Sequence, residues 1–505
     1  MMDEEILKLQ NGSDIRGVAL EGVEGENVNL TPDIANRIGQ AFAQWLSAKT
    51  NKAADQLTVG IGMDSRISGH NLMIATTAGL VSCGVDVKCC GLATTPAMFM
   101  SIVFEQSQFD GSVMITASHL PFNRNGIKFF TKDGGLEHDD ITEILKIAQD
   151  KQIVTADVSE EKNFDLIYLY AQHLRTSIMN GVNNSQKPLE GLKIIVDAGN
   201  GAGGFFAEKV LKPLGANIEG SQFLEPDGRF PNHIPNPENK EAMESIRQAV
   251  LRSHADLGLI FDTDVDRMSA VLDDGSEINR DSIIAMISAI LAPRNKGATI
   301  ITDSVTSDRL TFFLEKVLGL KHLRYMRGYK NVINKQKELC AEGTNAPLAM
   351  ETSGHGALKE NYFLDDGAFL AVQLVIALAN AAQQGKKLQS LIEQLPPAGE
   401  EAELRFKIND ENFKEYGKQV LDAFAERARD AGCIMPESYE GIRLCFKGGP
   451  EADGAEGWML LRLSLHDPVM PLNIEGTTPG SLEKIKHVAA LLLTGFDKLD
   501  MSALD

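Results

Sequence analysis

The 505-residue sequence is poor in cysteine, in positive charge and in long apolar runs. Its 6 cysteines are too few for the disulfide framework of a secreted protein. The adjacent pair Cys89 and Cys90 lacks the C-x-x-C spacing of a zinc or redox site. These thiols are therefore expected to be reduced and buried. No apolar run approaches the roughly 18 residues that a membrane-spanning helix needs, so no membrane association is expected.

Acidic side chains outnumber basic ones by 70 to 49, which gives a formal net charge of −21. A surface of this charge repels nucleic acids and anionic lipids, so no nucleic-acid partner is expected. The first five residues, MMDEE, are acidic, whereas secretory signals and transit peptides begin with basic residues. The sequence thus indicates a cytoplasmic protein, or a plastid protein whose transit peptide has been removed.

The length implies three or four domains, because single hydrophobic cores stop growing beyond about 250–300 residues. Three segments share one pattern, an apolar run that ends in an aspartate and leads into a predicted helix. The aspartates are Asp64, Asp197 and Asp303. The helices predicted after the second and third runs span residues 205–214 and 307–318. This pattern is typical of α/β units with mixed, mostly parallel sheets.

Beyond a linker-like stretch at residues 385–400, the pattern changes to that of a small α+β domain. Its predicted strands span residues 403–408, 441–446, 458–465 and 469–474, and its predicted helices span 412–431 and 481–498. The fold class is therefore α/β, with three similar α/β domains and a smaller C-terminal α+β domain. The predicted domains are residues 1–163, 164–277, 278–395 and 396–505.

Residues 116–128, TASHLPFNRNGIK, bring a hydroxyl, an imidazole and an ammonium onto one loop. They follow an apolar run at residues 112–115, so Ser118 is expected at the carboxyl end of a strand. A serine beside His119, with Lys128 nearby, suits a nucleophile that carries a phosphoryl group, because the cations can bind the phosphate oxygens. The alternative is an ordinary turn that caps the next helix.

The apolar run at residues 257–261 leads directly into Asp262, Asp264 and Asp266. Three carboxylates at alternate positions can converge on one hard cation, and Mg²⁺ prefers such oxygen ligands. The rival interpretation is a calcium-binding EF-hand loop, but that loop needs glycine at its sixth position, where this sequence has Arg267. An arginine directly after the carboxylates indicates that an anion shares the site with the metal.

Two further loops contain chemically useful groups. Residues 351–356, ETSGHG, offer a carboxylate, a hydroxyl and an imidazole, which can hydrogen-bond the hydroxyls of a sugar, although such a loop is usually only a turn. Residues 199–204, GNGAGG, fit the G-x-G-x-x-G spacing of dinucleotide-binding folds, and Glu219 follows at the expected distance. Because Asp197 would repel a pyrophosphate there, we interpret this segment as a structural strand-to-helix turn.

Together these segments resemble the motifs of the α-D-phosphohexomutase family, in the family's order and along nearly the whole chain. The matching segments are residues 14–17 (DIRG), 62–69 (GMDSRISG), 116–121 (TASHLP), 125–128 (NGIK), 262–267 (DTDVDR), 351–355 (ETSGH) and 364–367 (LDDG). In the phosphoserine loop Leu120 replaces the usual asparagine, and in the metal loop Thr263 and Val265 stand where glycine is common.

The sequence departs from the family pattern in its last loop, where relatives bind the phosphate that is not transferred. Arg462 and Ser464 match that loop, but Leu465 and His466 do not. Met326 is a second departure, because many relatives have a lysine there. The resemblance then leaves Arg327 or Lys330 to supply this charge.

The resemblance implies four domains around one central cleft and an interconversion of hexose 1-phosphate and hexose 6-phosphate, with glucose or mannose as the sugar. Phosphorylated Ser118 and a bound hexose 1,6-bisphosphate would be the intermediates. One Mg²⁺ per chain would be held by Ser118, Asp262, Asp264 and Asp266, with glucose 1,6-bisphosphate as activator. Besides the small hexose phosphate no partner is implied, and the protein is expected to be a monomer or a dimer.

The same resemblance assigns roles to individual side chains. The candidates for catalysis and proton transfer are Ser118, His119, Lys128 and His355. The expected substrate-binding residues are Arg16, Arg66, Arg267, Arg327, Lys330, Glu351, Ser353, Arg462 and Ser464. Two alternatives stay open: a catalytically weak relative that binds sugar phosphates as a regulator, and a metal-dependent sugar phosphatase that transfers the phosphoryl group to water.

Overall fold

The computed structural model describes residues 6–158, 162–182, 186–464 and 467–504, apart from the side chain of Lys162. Leu465 and His466 therefore lie outside the described residues. The chain divides into two compact units, residues 1–279 with 353–390 and residues 280–352 with 391–505. This division does not separate the four domains expected from the sequence, whose boundaries stay a prediction.

The first unit contains a mixed sheet from the N-terminal part of the chain. Its strands lie in the order Gln10–Asn11, Asp14–Val18, Arg124–Thr131, Gly111–Ile115, Thr58–Met63, Asp86–Leu92 and Lys162–Asn163, with Gly134–Gly135 paired to Arg124–Thr131. The last four strands of this order are mutually parallel, and the other pairs are antiparallel. All five residues of Gly111–Ile115 are buried, as expected of a central strand that reads as a continuous apolar run.

The α-helices that accompany this sheet in the described residues include Pro32–Thr50, Gly69–Ser82, Thr95–Val103, His138–Gln149 and Leu166–Gly181. The first begins where the Thr31 side chain accepts a hydrogen bond from the Ile34 amide, with proline in its first turn. Its Phe42 and Leu46 share an apolar core with Leu72 of the second helix and Ile144 of the fourth.

The first unit also contains a four-stranded sheet in the order Glu277–Ile278, Met268–Leu272, Leu257–Phe261 and Ile194–Asp197. Only the last two strands are parallel. Helix Lys240–Ser253 packs Ile246 and Val250 into a core with Ile195 and Ile260. The unit is completed by the antiparallel strands Gly356–Leu358 and Leu364–Asp365 and by helix Gly367–Gln383.

The second unit has three parallel strands, in the order Lys321–Tyr325, Thr299–Asp303 and Leu348–Met350. Its helices in this region are Arg280–Leu291, Asp308–Phe312 and Tyr329–Ala341. An antiparallel sheet follows, in the order Ile442–Lys447, Glu456–Leu461, Val469–Gly476, Glu400–Ile408 and Leu499–Asp500. Helices Phe413–Asp430 and Ser481–Leu492 pack on it around one core. The expected fold class is confirmed.

Three predicted helices differ from those observed. Residues 206–211 form a π-helix and residues 212–214 a 3₁₀ turn, because Pro213 has no amide proton and its ring would clash with the Lys209 carbonyl in an α-helix. Residues 313–317 are also π-helical, and nothing in the structure explains this. The last helix ends at Leu492 rather than at residue 498, shortly before Gly495 with φ +89°.

Further 3₁₀ turns lie at Ala54–Gln56, Ala292–Arg294, Lys359–Asn361, Leu388–Leu391, Pro450–Ala452 and Ser502–Leu504. None of the helices in the described part of the chain combines the length and apolarity needed to cross a bilayer.

Helices Pro32–Thr50 and Gly69–Ser82 approach each other at the backbone. A Cβ atom at Gly39 would lie 2.2 Å from the Thr76 carbonyl oxygen, and one at Gly79 would lie 2.1 Å from the Asn36 carbonyl oxygen. We expect Gly39→Ala to force the helices apart and to lower the free energy of unfolding by about 1–3 kcal/mol. Gln44→Ala, on the exposed side of the same helix, should change it by less than about 0.5 kcal/mol. Urea unfolding measures both, and equal effects would contradict this close packing.

Candidate active site

The predicted site residues fall into two groups, one in each unit. The first unit contains the serine loop, the three aspartates and the imidazole of the third loop, together with Arg16, Arg66, Lys128, Arg267 and Ser353. The second unit contains Arg327, Lys330, Glu351, Arg462 and Ser464. That both groups line one central cleft stays a prediction.

Ser118 follows the strand Gly111–Ile115 and has φ +50°, a left-handed conformation that is uncommon outside glycine. The Ser118 amide donates a hydrogen bond to Thr116 Oγ1 at 2.9 Å, and Thr116 Oγ1 donates to Asp64 Oδ2 at 2.7 Å. Burial raises the pKa of Asp64 to about 6, although Arg66 and the Thr116 hydrogen bond lower it. Side chains from two strand ends therefore fix the serine in an unusual backbone conformation.

Arg66 lies beneath this loop, where its side chain is 0% exposed. Its guanidinium donates hydrogen bonds to four backbone carbonyls, those of Ser118, Leu120, Pro121 and Arg124. These carbonyls occupy both terminal nitrogens, and no solvent-exposed part of the side chain remains for a substrate. In this structure Arg66 holds the serine loop in shape, and the substrate-binding role expected of it stays a prediction.

Three aspartates converge directly after strand Leu257–Phe261. Carboxylate oxygens of Asp262, Asp264 and Asp266 all lie within 4.8 Å of one another, and all three side chains are buried. Between them Val265 has φ +67°, a strained conformation for a β-branched residue. The loop thus aims three carboxylates at one point.

Cationic side chains lie beside this cluster and affect its three carboxylates unequally. Lys128 Nζ lies 2.7 Å from Asp266 Oδ2 and 3.5 Å from Asp264 Oδ2. Burial raises the pKa of Asp266, but the charges of Lys128, His355 and Arg267 together outweigh this effect and hold the pKa well below its usual range. Burial and the neighbouring carboxylates instead raise the pKa of Asp262 well above its usual range. This carboxyl would be ionised more easily if a further cation joined the cluster.

A divalent cation fits this donor set. Asp264 Oδ1 and Asp266 Oδ1 are buried and have no hydrogen-bond partner among the described residues. Buried polar atoms are rarely left unsatisfied, so orphaned carboxylate oxygens are those expected of metal ligands. Thr95 strengthens the arrangement, because its hydroxyl donates to Asp264 Oδ2.

Arg267 links the carboxylates to the serine and is 2% exposed. Its Nη2 donates to Asp262 Oδ2 at 3.1 Å and to Ser118 Oγ at 3.0 Å. Ser118 Oγ in turn donates to Asp262 Oδ2 at 2.8 Å. The serine hydroxyl therefore touches both a candidate metal ligand and a buried cation.

His119 is neutral in this setting. Its Nδ1 accepts a hydrogen bond from Arg267 Nη2 at 2.6 Å and lies 3.4 Å from Ser118 Oγ. Burial and then the Arg267 charge lower the pKa of His119 to about 2.

His355 differs from His119 in carrying a charge. Its Nδ1 lies 2.6 Å from Asp365 Oδ2 and 3.7 Å from Asp266 Oδ1. Burial lowers the pKa of His355, but the two aspartates outweigh it and raise the pKa to about 9.

Nearby in the chain, Ser353 Oγ is buried and has no hydrogen-bond partner within the described part of the chain, as expected of a hydroxyl that awaits a ligand.

Arg16 belongs to the strand Asp14–Val18 of the same unit. It pairs with Gly126 across the sheet, and its Nη2 donates to Asp14 Oδ2 at 3.1 Å. The substrate-binding role expected of Arg16 stays a prediction.

In the second unit, Glu440 organises two of the predicted arginines. Glu440 Oε1 lies 3.7 Å from Arg462 Nε, and Glu440 Oε2 accepts a hydrogen bond from the Arg327 amide at 3.1 Å. Burial lowers the pKa of Arg462, and the nearby Arg327 charge lowers it further. Two cations that repel each other are typical of an anion-binding site.

The other predicted residues of the second unit lie around Gly328. Glu351 Oε1 accepts a hydrogen bond from the Gly328 amide at 2.7 Å, just before helix Tyr329–Ala341, whose first turn contains Lys330. Ser464 Oγ accepts from the Asp467 amide at 3.2 Å.

Sequence reasoning did not single out Thr95, Asp365 and Asn236 in the first unit, where Asn236 Oδ1 accepts a hydrogen bond from Arg267 Nη1 at 3.2 Å, or Glu440 in the second unit. Asp365 was within reach, since it belongs to a matched motif. Thr95 and Glu440 carry no local signal, because their partners are distant in the chain.

Comparison with known proteins assigns the family. The model described as phosphoglucomutase/phosphomannomutase, alpha/beta/alpha domain I, matches residues 7–153, and those of domains II and III match residues 169–275 and 279–398. A phosphoglucomutase of Neisseria gonorrhoeae is 31% identical over 481 residues, 94% of each chain. A phosphomannomutase/phosphoglucomutase of Pseudomonas putida is 31% identical over 479 residues, also 94% of each chain. The chain belongs to the phosphoglucomutase/phosphomannomutase family.

A solved structure agrees with this assignment. The phosphoglucomutase/phosphomannomutase family protein of Burkholderia thailandensis superposes with a TM-score of 0.77 at 27% identity. The match covers 98% of this chain and 99% of the other.

Arg66→Lys tests the role assigned to Arg66. A lysine ammonium has three donors and no planar fork, so it cannot satisfy four carbonyls, and we expect the free energy of unfolding to fall by about 2–4 kcal/mol. The control is Arg124→Lys, where the exposed ion pair with Glu26 predicts a change of less than about 1 kcal/mol. Denaturant unfolding of both variants provides the comparison. An Arg66→Lys protein as stable as the control would refute the structural role.

Proposed function

We propose that this protein is a hexose-phosphate mutase that interconverts hexose 1-phosphate and hexose 6-phosphate, an intramolecular phosphotransferase. The observation that carries the proposal is the position of Ser118 Oγ, which lies 2.8 Å from Asp262 Oδ2 and 3.0 Å from Arg267 Nη2. A hydroxyl in contact with a buried cation and a candidate metal ligand suits the transfer of a dianionic group. Membership of the phosphoglucomutase/phosphomannomutase family supports the same conclusion.

The proposed reaction starts with a phosphoryl group on Ser118 Oγ. The free hydroxyl of the bound sugar phosphate attacks the phosphorus, the bond to Ser118 Oγ breaks, and a hexose 1,6-bisphosphate forms. The bisphosphate then turns over, Ser118 Oγ attacks its other phosphoryl group, and the isomeric monophosphate leaves. Phosphate is neither gained nor lost, because the serine ends as it began.

The side chains of the first unit would divide this work. Arg267 holds the phosphoryl oxygens and orients Ser118. Asp262, Asp264 and Asp266, with a phosphoserine oxygen, would hold one Mg²⁺, which would supply positive charge where negative charge develops. Near neutral pH His119 is neutral but, with its pKa lowered to about 2, too weak a base to take the proton of the attacking sugar hydroxyl, whereas His355 is protonated and would serve as a proton or hydrogen-bond donor.

The other predicted residues complete the proposal. Lys128 neutralises the aspartates rather than the phosphate, since it already contacts two of them. Ser353 and Glu351 would bind sugar hydroxyls. Arg16, Arg327, Lys330, Arg462 and Ser464 would bind the phosphate that is not transferred.

Ser118→Ala is the direct test of the phosphoryl carrier. Without the hydroxyl, we expect interconversion of glucose 1-phosphate and glucose 6-phosphate to fall at least about 10⁴-fold, because the covalent intermediate cannot form. Ser101→Ala, which removes another buried hydroxyl of the same unit, should retain wild-type turnover. A coupled assay for glucose 6-phosphate measures turnover. Substantial activity in Ser118→Ala would refute the carrier, and free phosphate released in step with substrate loss would identify a phosphatase instead.

Asp264→Asn tests the proposed metal site. Removing the negative charge of one ligand should weaken Mg²⁺ binding. We expect kcat to fall at least about 100-fold, because less positive charge is then held where the transition state becomes negative. Addition of Mg²⁺ should raise the Tm of the wild-type protein through preferential binding to the folded state, and this shift should shrink in Asp264→Asn. Asp274→Asn, an exposed carboxylate, is the control. Equal Tm shifts in all three proteins would exclude a metal at these aspartates.

A further inference from the structure

The glycine-rich turn at residues 199–204 packs directly against the carboxylate loop. The Ala202 amide donates a hydrogen bond to the Thr263 carbonyl at 2.8 Å. A Cβ atom at Gly201 would lie 2.6 Å from that carbonyl oxygen and 2.8 Å from Thr263 Cα. Glycine is needed at position 201 because two backbone segments touch there. This close contact accounts for the glycine-rich spacing of residues 199–204 without a bound nucleotide.

The same turn also contacts the segment 233–239. Gly199 has φ +51°, and a Cβ atom there would lie 2.8 Å from Pro235 Cβ. Both Asp197 carboxylate oxygens lie 3.0 Å from His233 Nε2, while His233 Nδ1 faces the Ile234 carbonyl at 2.9 Å. Because both ring nitrogens face acceptors, both carry protons, and a buried ion pair anchors the start of the segment.

Asn236, in the middle of this segment, reaches the active-site arginine. Its Oδ1 accepts hydrogen bonds from the Glu238 amide at 3.0 Å and from Arg267 Nη1 at 3.2 Å. Two donors converge on this atom, so it is the amide oxygen and both of its lone pairs are used. The Asn236 side chain is thereby fixed by its own segment before it contacts Arg267.

The orientation of Arg267 determines what Ser118 contacts. The guanidinium is planar, so a hydrogen bond at Nη1 also fixes the direction of Nη2. Nη2 has two hydrogens but three acceptors, which are Ser118 Oγ, His119 Nδ1 and Asp262 Oδ2. A small rotation would therefore change how these hydrogens are shared.

We propose that Asn236 is a positioning residue for Arg267, held in place by the Asp197–His233 pair and by the glycine-rich turn. The inference rests on the proposed mutase function, because it concerns the arginine assigned to the transferred phosphoryl group. Asn236 touches neither the serine nor the sugar in this proposal and acts only through Arg267.

Asn236→Ala removes the acceptor. We expect kcat for glucose 1-phosphate to fall about tenfold or more, because small displacements of a positioned group are costly. KM should change by less than about threefold, since Arg267 keeps its charge. Asn239→Ala is the matched control. Asn239 lies three residues after Asn236 and caps helix Lys240–Ser253, so its removal costs stability but leaves Arg267 untouched. Thermal unfolding shows whether each variant folds.

A double-mutant cycle separates positioning from a general structural effect. Arg267→Lys keeps the positive charge but loses the planar guanidinium that Asn236 contacts. Asn236→Ala should therefore have almost no further effect on kcat in that background. A tenfold loss in both backgrounds would show that Asn236 acts elsewhere. If Asn236→Ala does not fold, Asn236→Ser, whose side chain is too short to reach Nη1, replaces it in the cycle.

The outcomes distinguish the two proposals. Wild-type protein without mutase activity would refute the proposed function. Active wild-type protein with an unchanged kcat in Asn236→Ala would refute only the positioning role. The rate at which glucose 1,6-bisphosphate phosphorylates Ser118, measured by intact mass, gives a second readout that should fall in Asn236→Ala.

Discussion

The site depends on the burial of three carboxylates within a few ångströms of one another. Such a cluster is unfavourable unless positive charge is supplied, because desolvation and mutual repulsion both oppose ionisation. Lys128, Arg267 and protonated His355 supply positive charge, but Asp264 Oδ1 and Asp266 Oδ1 still lack a hydrogen-bond partner among the described residues. The protein thus maintains a strong local preference for one more cation and for an anion that accompanies it.

Several buried groups of the first unit support that cluster and the serine loop beside it. Arg66 shapes the serine loop, Thr95 braces Asp264, and the glycine-rich turn lies against the carboxylate loop. These groups are buried and act through backbone carbonyls and neighbouring side chains. Ser118 can therefore be held in a left-handed conformation that an isolated loop would rarely adopt.

The sequence predicted the structure well where polar residues directly follow an apolar strand. The strand Leu257–Phe261 and the converging aspartates were predicted as observed, because an apolar run and its polar terminus are local features. The contacts of Arg66 with four backbone carbonyls were not predicted, because these carbonyls are 52 to 58 residues away and no local pattern reveals them. The π-helix at residues 206–211 was not predicted, although Pro213 in the sequence already indicated that a regular α-helix would be disturbed in the preceding turn.

Val265 has a consequence for ion selectivity. A fully buried valine at φ +67° is tolerated only when its surroundings leave the backbone no alternative, and here the Gly367 amide binds its carbonyl at 3.1 Å. A loop so constrained cannot widen easily around an ion. Mg²⁺ requires a tight octahedral shell at about 2.1 Å, whereas Ca²⁺ takes a larger and more adaptable shell at about 2.4 Å. At the proposed metal site, stiffness at this one residue would therefore favour the smaller ion, a discrimination that ligand charge alone would not provide.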